Sequence, residues 1–100
     1  MATDLTYPHI EKAPGDAARL RRLPRVRVAQ IAMDHLAHGW SAEEICRQHP
    51  HLVRAEVYSA LAYYYDHPEE IEASIREGRK LVARVRRDQA RILRQQRRAR

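Results

Sequence analysis

Histidine and cysteine are the residues of this chain that most readily ligate metals or transfer protons. Six histidines are scattered along it: His9, His35, His38, His49, His51 and His67. One helical turn can present His35 and His38 together, but Cys46 is the single thiol and no second ligand pair has a recognisable zinc spacing. The sequence also lacks a glycine-rich phosphate loop and a nucleophile elbow. We therefore expect no catalytic residues, no metal and no cofactor, and a protein that is not an enzyme.

Arginine is concentrated in two groups. The first comprises Arg19, Arg21, Arg22, Arg25 and Arg27. The second, which we call the basic comb, comprises Lys80, Arg84, Arg87, Arg91, Arg94 and Arg98. Residues 1–75 hold 8 Lys/Arg and 11 Asp/Glu, whereas residues 76–100 hold 11 Lys/Arg and 2 Asp/Glu. The positive charge of the chain therefore lies in its C-terminal quarter, which predicts an anionic partner for that segment.

Length and composition limit what can position these side chains. The chain has 100 residues, of which 44% are apolar and none is Phe, so we expect one thin helical core plus an appendage. A single cysteine excludes an internal disulfide and is typical of a reducing compartment. The sequence shows no signal-peptide pattern and no apolar run of about 20 residues. We expect a soluble, cytoplasmic protein that does not enter membranes.

The middle of the chain contains recognisable residues that begin and end helices. Apolar spacing predicts a first helix over Val28–His38, with Gly39 as its C-terminal stop. Ser41 and Glu44 form the pattern of a capping box, which predicts a second helix that ends before Pro50. A third helix is expected over about 54–65, without a favourable cap at its start. A fourth begins at Pro68 and has no stop signal before the C-terminus.

These elements predict an all-α fold: a small three-helix helix-turn-helix domain, a short N-terminal strand or arm, and a long protruding C-terminal helix. The predicted divisions are an arm at 1–27, the domain at 28–75 and a basic amphipathic tail at 76–100. A short strand is expected over His9–Lys12. Val26 and Val28 alternate with arginines, which predicts a second extended segment that can pair with another copy and so form a homodimer.

A helix-turn-helix domain raises the question of DNA binding. The candidate DNA contacts are Arg21, Arg22, Arg25, Arg27, Arg54 and Tyr58. The third helix, which would enter the major groove, is expected to point Arg54, Glu56, Tyr58, Ser59 and Tyr63 outward. It offers only one cation, so phosphate contacts would have to come from the N-terminal arginines. Two alternatives remain, since those arginines also suit a solvated strand face and three-helix units also serve as protein-interaction modules.

The fourth helix has two opposite faces. Its apolar seam follows a 4-3 spacing through Ile71, Ile75, Gly78, Val82, Val85, Gln89, Ile92 and Gln96. The basic comb lies roughly 200° around the helix from this seam. The tail can be a solvated helix, a nonspecific nucleic-acid arm or a segment that binds an acidic protein. We favour the last, because phosphate binding alone requires no apolar seam.

Several motifs resemble the domain-of-unknown-function 433 family. They are Gly39-Trp40-Ser41-Ala42-Glu43-Glu44-Ile45, His49-Pro50-His51-Leu52 and Ala60-Leu61-Ala62-Tyr63-Tyr64, together with Val26–Ile31. The resemblance covers about residues 9–75. It departs from the family before the first helix, where Leu23-Pro24-Arg25 replaces the usual Gly-Thr-Arg. Arg25 is kept, and we expect the turn that Gly-Thr provides to be lost.

The resemblance implies a VapB-like, dimeric helix-turn-helix antitoxin of a type II toxin–antitoxin pair. Such antitoxins typically bind their own operator DNA and hold a PIN-like ribonuclease toxin with the C-terminal tail. The toxin's active site is a cluster of metal-binding carboxylates, which an inserted guanidinium could bind. The candidate toxin contacts are Ile75, Val82, Arg84, Val85, Arg87, Arg91, Ile92 and Arg94.

The sequence thus supports an antitoxin that inhibits a ribonuclease and represses its own operon. The first alternative is a stand-alone DNA-binding regulator whose basic tail grips phosphate. A second is an interaction module that forms a coiled coil through the seam.

Overall fold

A computed structural model describes residues 6–98 of the chain. Within that range, two short strands precede four helices. The elements are β1 (Ile10–Glu11), β2 (Arg19–Leu20), α1 (Val28–His38), α2 (Ala42–Gln48), α3 (Arg54–Asp66) and α4 (Pro68–Arg98). The predicted fold class is confirmed: a helical domain with a short N-terminal sheet and a long C-terminal helix.

The ends of α1 and α2 follow the predicted punctuation. Gly39 adopts the left-handed region at φ 67°, and its N–H donates to the carbonyl of His35. Ser41 caps α2, since its Oγ accepts from the backbone N–H of Glu44 at 3.2 Å. In a complete capping box the Glu44 carboxylate would also accept from the Ser41 N–H. Here it accepts instead from the side chains of Arg47 and Gln48, one turn later.

The start of α3 is stabilised by a residue inside the helix. Val53 precedes the helix and offers no polar side chain, as the sequence indicated. The carboxylate of Glu56 reaches back instead and accepts from the Val53 N–H at 3.0 Å. This requires Glu56 to turn inward, and its side chain is 2% exposed. The prediction that Glu56 points outward from α3 is therefore wrong.

The N-terminal segment belongs to the domain and is not a separate arm. β1 and β2 pair antiparallel, with Ile10 opposite Leu20, and both side chains are fully buried. The extended stretch before α1 pairs with the same chain: the Val28 N–H donates to Ala18, and the Leu20 N–H donates to Val26. These backbone groups are thus satisfied within the chain, so the expected strand pairing with a second copy is not required. Residues 1–5 of the predicted arm lie outside the described range.

The core combines residues from every element. It contains Ile10, Ala18, Leu20, Val28, Ala29, Ile31, Ala32, Ala42, Ile45, Leu52, Val57, Ala60, Tyr63, Tyr64, Ile71 and Ile75. Leu36, in the last turn of α1, shares the apolar face of that helix and is nevertheless 51% exposed. Tyr63 was expected to face outward and is instead buried.

The helix α4 is much longer than the domain that supports it. Its 31 residues span about 46 Å at 1.5 Å per residue, and the longest extent of the described structure is 55 Å. Only its first two turns are packed on the domain. None of the helices formed by residues 6–98 combines the length and apolar character that a bilayer-spanning segment requires.

Candidate partner-binding surfaces

Two tyrosines and two isoleucines anchor α4 to the domain. The hydroxyl of Tyr63 donates to the Glu70 carboxylate at 2.8 Å, and that of Tyr64 donates to Glu72 at 3.1 Å. Ile71 and Ile75 are buried in the core. The assignment of Ile75 to the toxin contacts is corrected accordingly, because a side chain that is only 7% exposed and packed in the core is not available to a partner.

Beyond Gly78, the whole described part of α4 is exposed, including large apolar side chains. Five of these are between 46% and 56% exposed: Leu81, Val82, Val85, Ile92 and Leu93. Isolated exposed apolar residues are common on protein surfaces, but a series along one helix marks an interaction site. Val82, Val85 and Ile92 continue the seam that begins with the buried isoleucines. The structure therefore places three of the predicted partner contacts on one unoccupied face.

The predicted cationic contacts of the tail are also exposed. Arg91 forms an ion pair with Asp88 at 3.7 Å, and Lys80 forms one with Glu77 at 3.5 Å. Both pairs lie at the surface, where an ion pair contributes little stability and exchanges readily. Arg84, Arg87 and Arg94 extend from the same helix. The basic comb is thus available to an anionic surface along its described length.

A groove runs between α1 and α4 at the point where α4 leaves the domain. Its volume is about 640 Å³, within the range of about 300–1,000 Å³ that is common for binding clefts. Apolar and small side chains of both helices form its floor: Ala29, Met33, Ile75, Gly78, Val82 and Ala83. Four arginines line it as well: Arg25, Arg27, Arg79 and Arg86. The seam of α4 leads directly out of this groove.

Sequence reasoning missed this groove because it depends on how α1 and α4 pack. Arg79 and Arg86 are seven residues apart and flank the seam, which was the one signal available in the sequence. The groove also brings together Arg25 and Arg27, which were predicted as DNA contacts. In the groove these two arginines lie beside Arg79 and Arg86 of α4, and not beside the third helix.

The other predicted DNA contacts are dispersed. The Arg22 guanidinium binds the buried Glu56 carboxylate through two hydrogen bonds, from Nε at 3.0 Å and from Nη2 at 2.7 Å. Nη2 also donates to the carbonyl of His51 at 2.8 Å. Arg22 therefore joins the N-terminal segment to α3, which is a structural role that the prediction did not include. Arg21 lies near β1, with its Nη2 at 3.4 Å from the carbonyl oxygen of Ile10.

The exposed face of α3 carries Arg54 and Tyr58, as predicted. The Tyr58 hydroxyl donates to the carboxylate of Glu43 on α2. This hydrogen bond is the main cause that lowers the pKa of Glu43, and it raises the pKa of Tyr58. Arg54 is the one cation on this face among the described residues of α3. A DNA-reading surface on α3 would thus be nearly neutral.

His35 and Cys46 are partly buried within the domain. His35 donates from Nδ1 to the carbonyl of Trp40 at 2.7 Å, and its Nε2 accepts from the hydroxyl of Tyr65 at 2.5 Å. Burial raises the pKa of the Cys46 thiol, which makes it a poorer nucleophile. Among residues 6–98, no three His, Cys, Asp or Glu side chains lie together in a way that could hold a metal ion.

Comparison with known proteins supports the resemblance found in the motifs. Residues 22–64 match the model of a family described as "Protein of unknown function (DUF433)". The matched segment is shorter than the expected 9–75; it runs from Arg22 to Tyr64 and contains α1, α2 and most of α3. The strands and α4 lie outside it. No curated protein and no solved structure matches the chain.

Proposed function

Starting from the DUF433 family segment at residues 22–64, we propose that this chain is a VapB-like antitoxin that inhibits a PIN-like ribonuclease toxin through α4. The observation that carries the proposal is the exposed distal half of α4, which presents apolar and cationic side chains with nothing packed on them. While such a helix remains in solvent, its apolar side chains are not buried and its positive charges are not neutralised. It gains apolar burial and charge neutralisation when it binds an acidic protein surface.

The chemistry of the basic comb suits the active site of a metal-dependent ribonuclease. Such sites concentrate carboxylates that hold divalent metal ions. A guanidinium from Arg84, Arg87, Arg91 or Arg94 can bind a carboxylate through two hydrogen bonds and so compete with the metal. The seam residues Val82, Val85 and Ile92 would bind beside the active site. In this proposal the chain acts in the cytoplasm, is not an enzyme and requires no cofactor.

The proposal requires a neighbouring reading frame that encodes a PIN-like nuclease. The test is inhibition of that nuclease, measured as cleavage of a fluorescent RNA. The full chain is expected to suppress cleavage at equimolar concentration. A truncation after Gly78 retains Ile71 and Ile75, so the domain should stay folded and lose inhibition. Full inhibition by the truncated chain would contradict the proposal that α4 binds the toxin.

Two sets of full-length variants separate charge from apolar contact. Reversal of Arg87 and Arg91 to Glu is expected to weaken inhibition, because it places carboxylates against the acidic site. Val85→Asp with Ile92→Asp should weaken it as well, because the seam loses its apolar contacts. The matched control is Arg47→Glu, a charge reversal on α2 that should leave inhibition unchanged.

Binding to operator DNA is the second part of the proposal, and a stand-alone DNA-binding regulator is the alternative. The observation that favours DNA is the exposure of Arg21, Arg25 and Arg27 on the segment before α1. The measurement is affinity for DNA upstream of the gene at several salt concentrations. A regulator whose tail grips phosphate should lose affinity and salt dependence when residues 79–100 are removed. An antitoxin should retain most of its DNA affinity after the same truncation.

Homodimer formation is also part of the proposal. The α4 helices of two copies would repel each other, since both carry the basic comb. The edge before α1 is already paired within the chain. We therefore propose that two copies contact each other through the helical domain. Sedimentation of the chain truncated after Gly78 tests this, because a contact on the domain would keep the truncated chain dimeric.

A further inference from the structure

The floor of the α1–α4 groove contains a glycine that this chain does not need for its own packing. Gly78 lies within α4 and has no positive φ. A Cβ added to it would meet no atom within 4 Å. Glycine destabilises a helix relative to alanine, so the domain alone would favour a side chain here. Glycine within a helix is useful where another backbone must approach closely.

The charges around this glycine select the kind of chain that can approach. Arg25, Arg27, Arg79 and Arg86 line the groove, and none of the described residues that line it is acidic. The distal part of α4 from a second copy is strongly basic and would be repelled. An acidic segment would gain from the same field. The apolar floor requires that the segment also present apolar side chains.

Nucleic acid satisfies the charges of this groove but not its floor. Phosphate contacts are made by exposed cations and need no cleft lined by Met33, Ile75 and Val82. A helix fits both features, because its apolar stripe can face the floor while acidic residues on its flanks reach the arginines. The size of the groove, about 640 Å³, admits several side chains.

We propose that the α1–α4 groove binds an acidic amphipathic helix of a partner protein, and that the backbone of this helix passes close to Gly78. The inference deepens the proposed function and rests on it in one respect: it assigns the helix to the same partner that α4 inhibits. The groove and the basic comb would then hold one partner at two places. The seam connects them.

The experiment uses the full chain and a labelled synthetic peptide of about five helical turns, with Leu at the i, i+3, i+4 and i+7 positions and Glu elsewhere. Fluorescence anisotropy at about 0.15 M ionic strength gives the affinity. The peptide is expected to bind, and a peptide with Lys in place of every Glu is expected not to bind. Binding of the Lys peptide with equal affinity would overturn the proposal.

Gly78→Leu is the decisive variant, because it places a large side chain in the groove at a position where an added Cβ meets no atom within 4 Å. It should lower the affinity for the peptide at least about tenfold. The matched control is Ala62→Leu on the exposed face of α3, which should leave the affinity unchanged. Equal binding by Gly78→Leu and the unmodified chain would overturn the proposal. Circular dichroism checks that both variants keep their helicity.

Charge reversals in the groove test the proposal independently of Gly78→Leu, even if that variant does not fold. Arg27→Glu with Arg86→Glu should lower the affinity for the peptide at least about fivefold. The same two reversals at Arg97 and Arg98, at the far end of α4, should change it less than about twofold, because they lie beyond the screening length. Equal effects of the two pairs would overturn the proposal. So would an equal loss of duplex DNA affinity in Gly78→Leu, because phosphate contacts do not need the groove floor.

The nuclease assay separates failure of this inference from failure of the proposed function. If Gly78→Leu lost peptide binding and weakened nuclease inhibition, both would be supported. Full inhibition by Gly78→Leu, with loss of inhibition on reversal of Arg87 and Arg91, would overturn the groove and retain the antitoxin. No inhibition by the unmodified chain would overturn the antitoxin alone, since peptide binding is measured without the nuclease.

Discussion

Removal of the Glu56 carboxylate is expected to destabilise the domain more than any exposed charge does. Glu56 accepts hydrogen bonds from the Arg22 guanidinium at 2.7 and 3.0 Å and from the Val53 N–H at 3.0 Å. It therefore joins the N-terminal segment, the α2–α3 connection and α3. Glu56→Ala removes all of these acceptors at once and leaves a gap in a buried position.

The magnitude follows from what is lost. The contact to the Val53 N–H acts as the cap of α3 and contributes about 1 kcal/mol. The γ-methylene of Glu56 is buried with the carboxylate, and its removal costs about 0.8 kcal/mol. The expected loss is therefore about 2 kcal/mol in the free energy of unfolding, before the contacts of Arg22 are added. In a domain of this size, each kcal/mol lowers the melting temperature by roughly 4–8 °C.

The assay is thermal and urea unfolding followed by circular dichroism, repeated over a range of pH. The Arg22 hydrogen bonds hold the pKa of Glu56 below its ordinary value of 4.5, and the Val53 N–H adds to this effect. A carboxyl with a lowered folded-state pKa stabilises the fold above its unfolded pKa, and this stabilisation is lost as the pH falls through the folded value. The difference between Glu56→Ala and the unmodified chain should thus be full at pH 7 and shrink below about pH 4.5.

An exposed carboxylate provides the control for this prediction. Glu77 on α4 is 74% exposed and forms only a surface ion pair, so Glu77→Ala should change the free energy of unfolding by less than about 0.5 kcal/mol. If Glu56→Ala were no more destabilising than Glu77→Ala, the ion pair with Arg22 would not connect the segment to α3. A difference that persisted unchanged at pH 2 would contradict the role of the charge.

Three further predictions concern a cap, a hydrogen bond and the dynamics of α4. Ser41→Ala should lower the free energy of unfolding by about 1 kcal/mol in urea titrations, because it removes the cap of α2. Tyr58→Phe should raise the pKa of Glu43 toward its ordinary value, as NMR titration of the side chain would show, since the Tyr58 hydroxyl is the main group that lowers it. Amide hydrogen exchange should be slow in the first two turns of α4 and fast beyond Gly78, where no side chain is buried; uniform protection along α4 would contradict this.

The helices could be predicted from the sequence because their boundaries are encoded locally. Gly39 needs a left-handed conformation that few other residues adopt, and Ser41 caps the next helix with its own side chain. The bounds of α1 are therefore confirmed, and those of α3 differ by one residue at its end. The length of the fourth helix likewise predicted that its distal half leaves the domain, because roughly 30 residues at about 1.5 Å each are longer than a small domain is wide.

The orientation of polar side chains could not be predicted in the same way. Glu56 reads as a solvent-facing residue because its charge suggests exposure, and nothing local indicates that Arg22, 34 residues earlier, binds it. The pairing of the stretch before α1 within the chain could not be predicted for a related reason, because its partners are Ala18 and Leu20, which the sequence pattern does not connect to it. Contacts between distant segments depend on packing, and the α1–α4 groove is formed entirely by such a contact.

The arrangement of α4 favours one acidic partner per chain over a second copy. Gly78 and Val82 in the groove floor, and Val85 and Ile92 beyond it, all lie on the 4-3 seam and so form one surface. Arg79 and Arg86 flank this surface, and the basic comb lies on the opposite side of α4. Two copies paired through it would each bring the same charge, whereas an acidic partner would bury the apolar residues and neutralise the arginines together. We therefore propose that the positive charge of α4 selects an acidic partner, and that the domain presents this helix by holding its first two turns through Ile71 and Ile75.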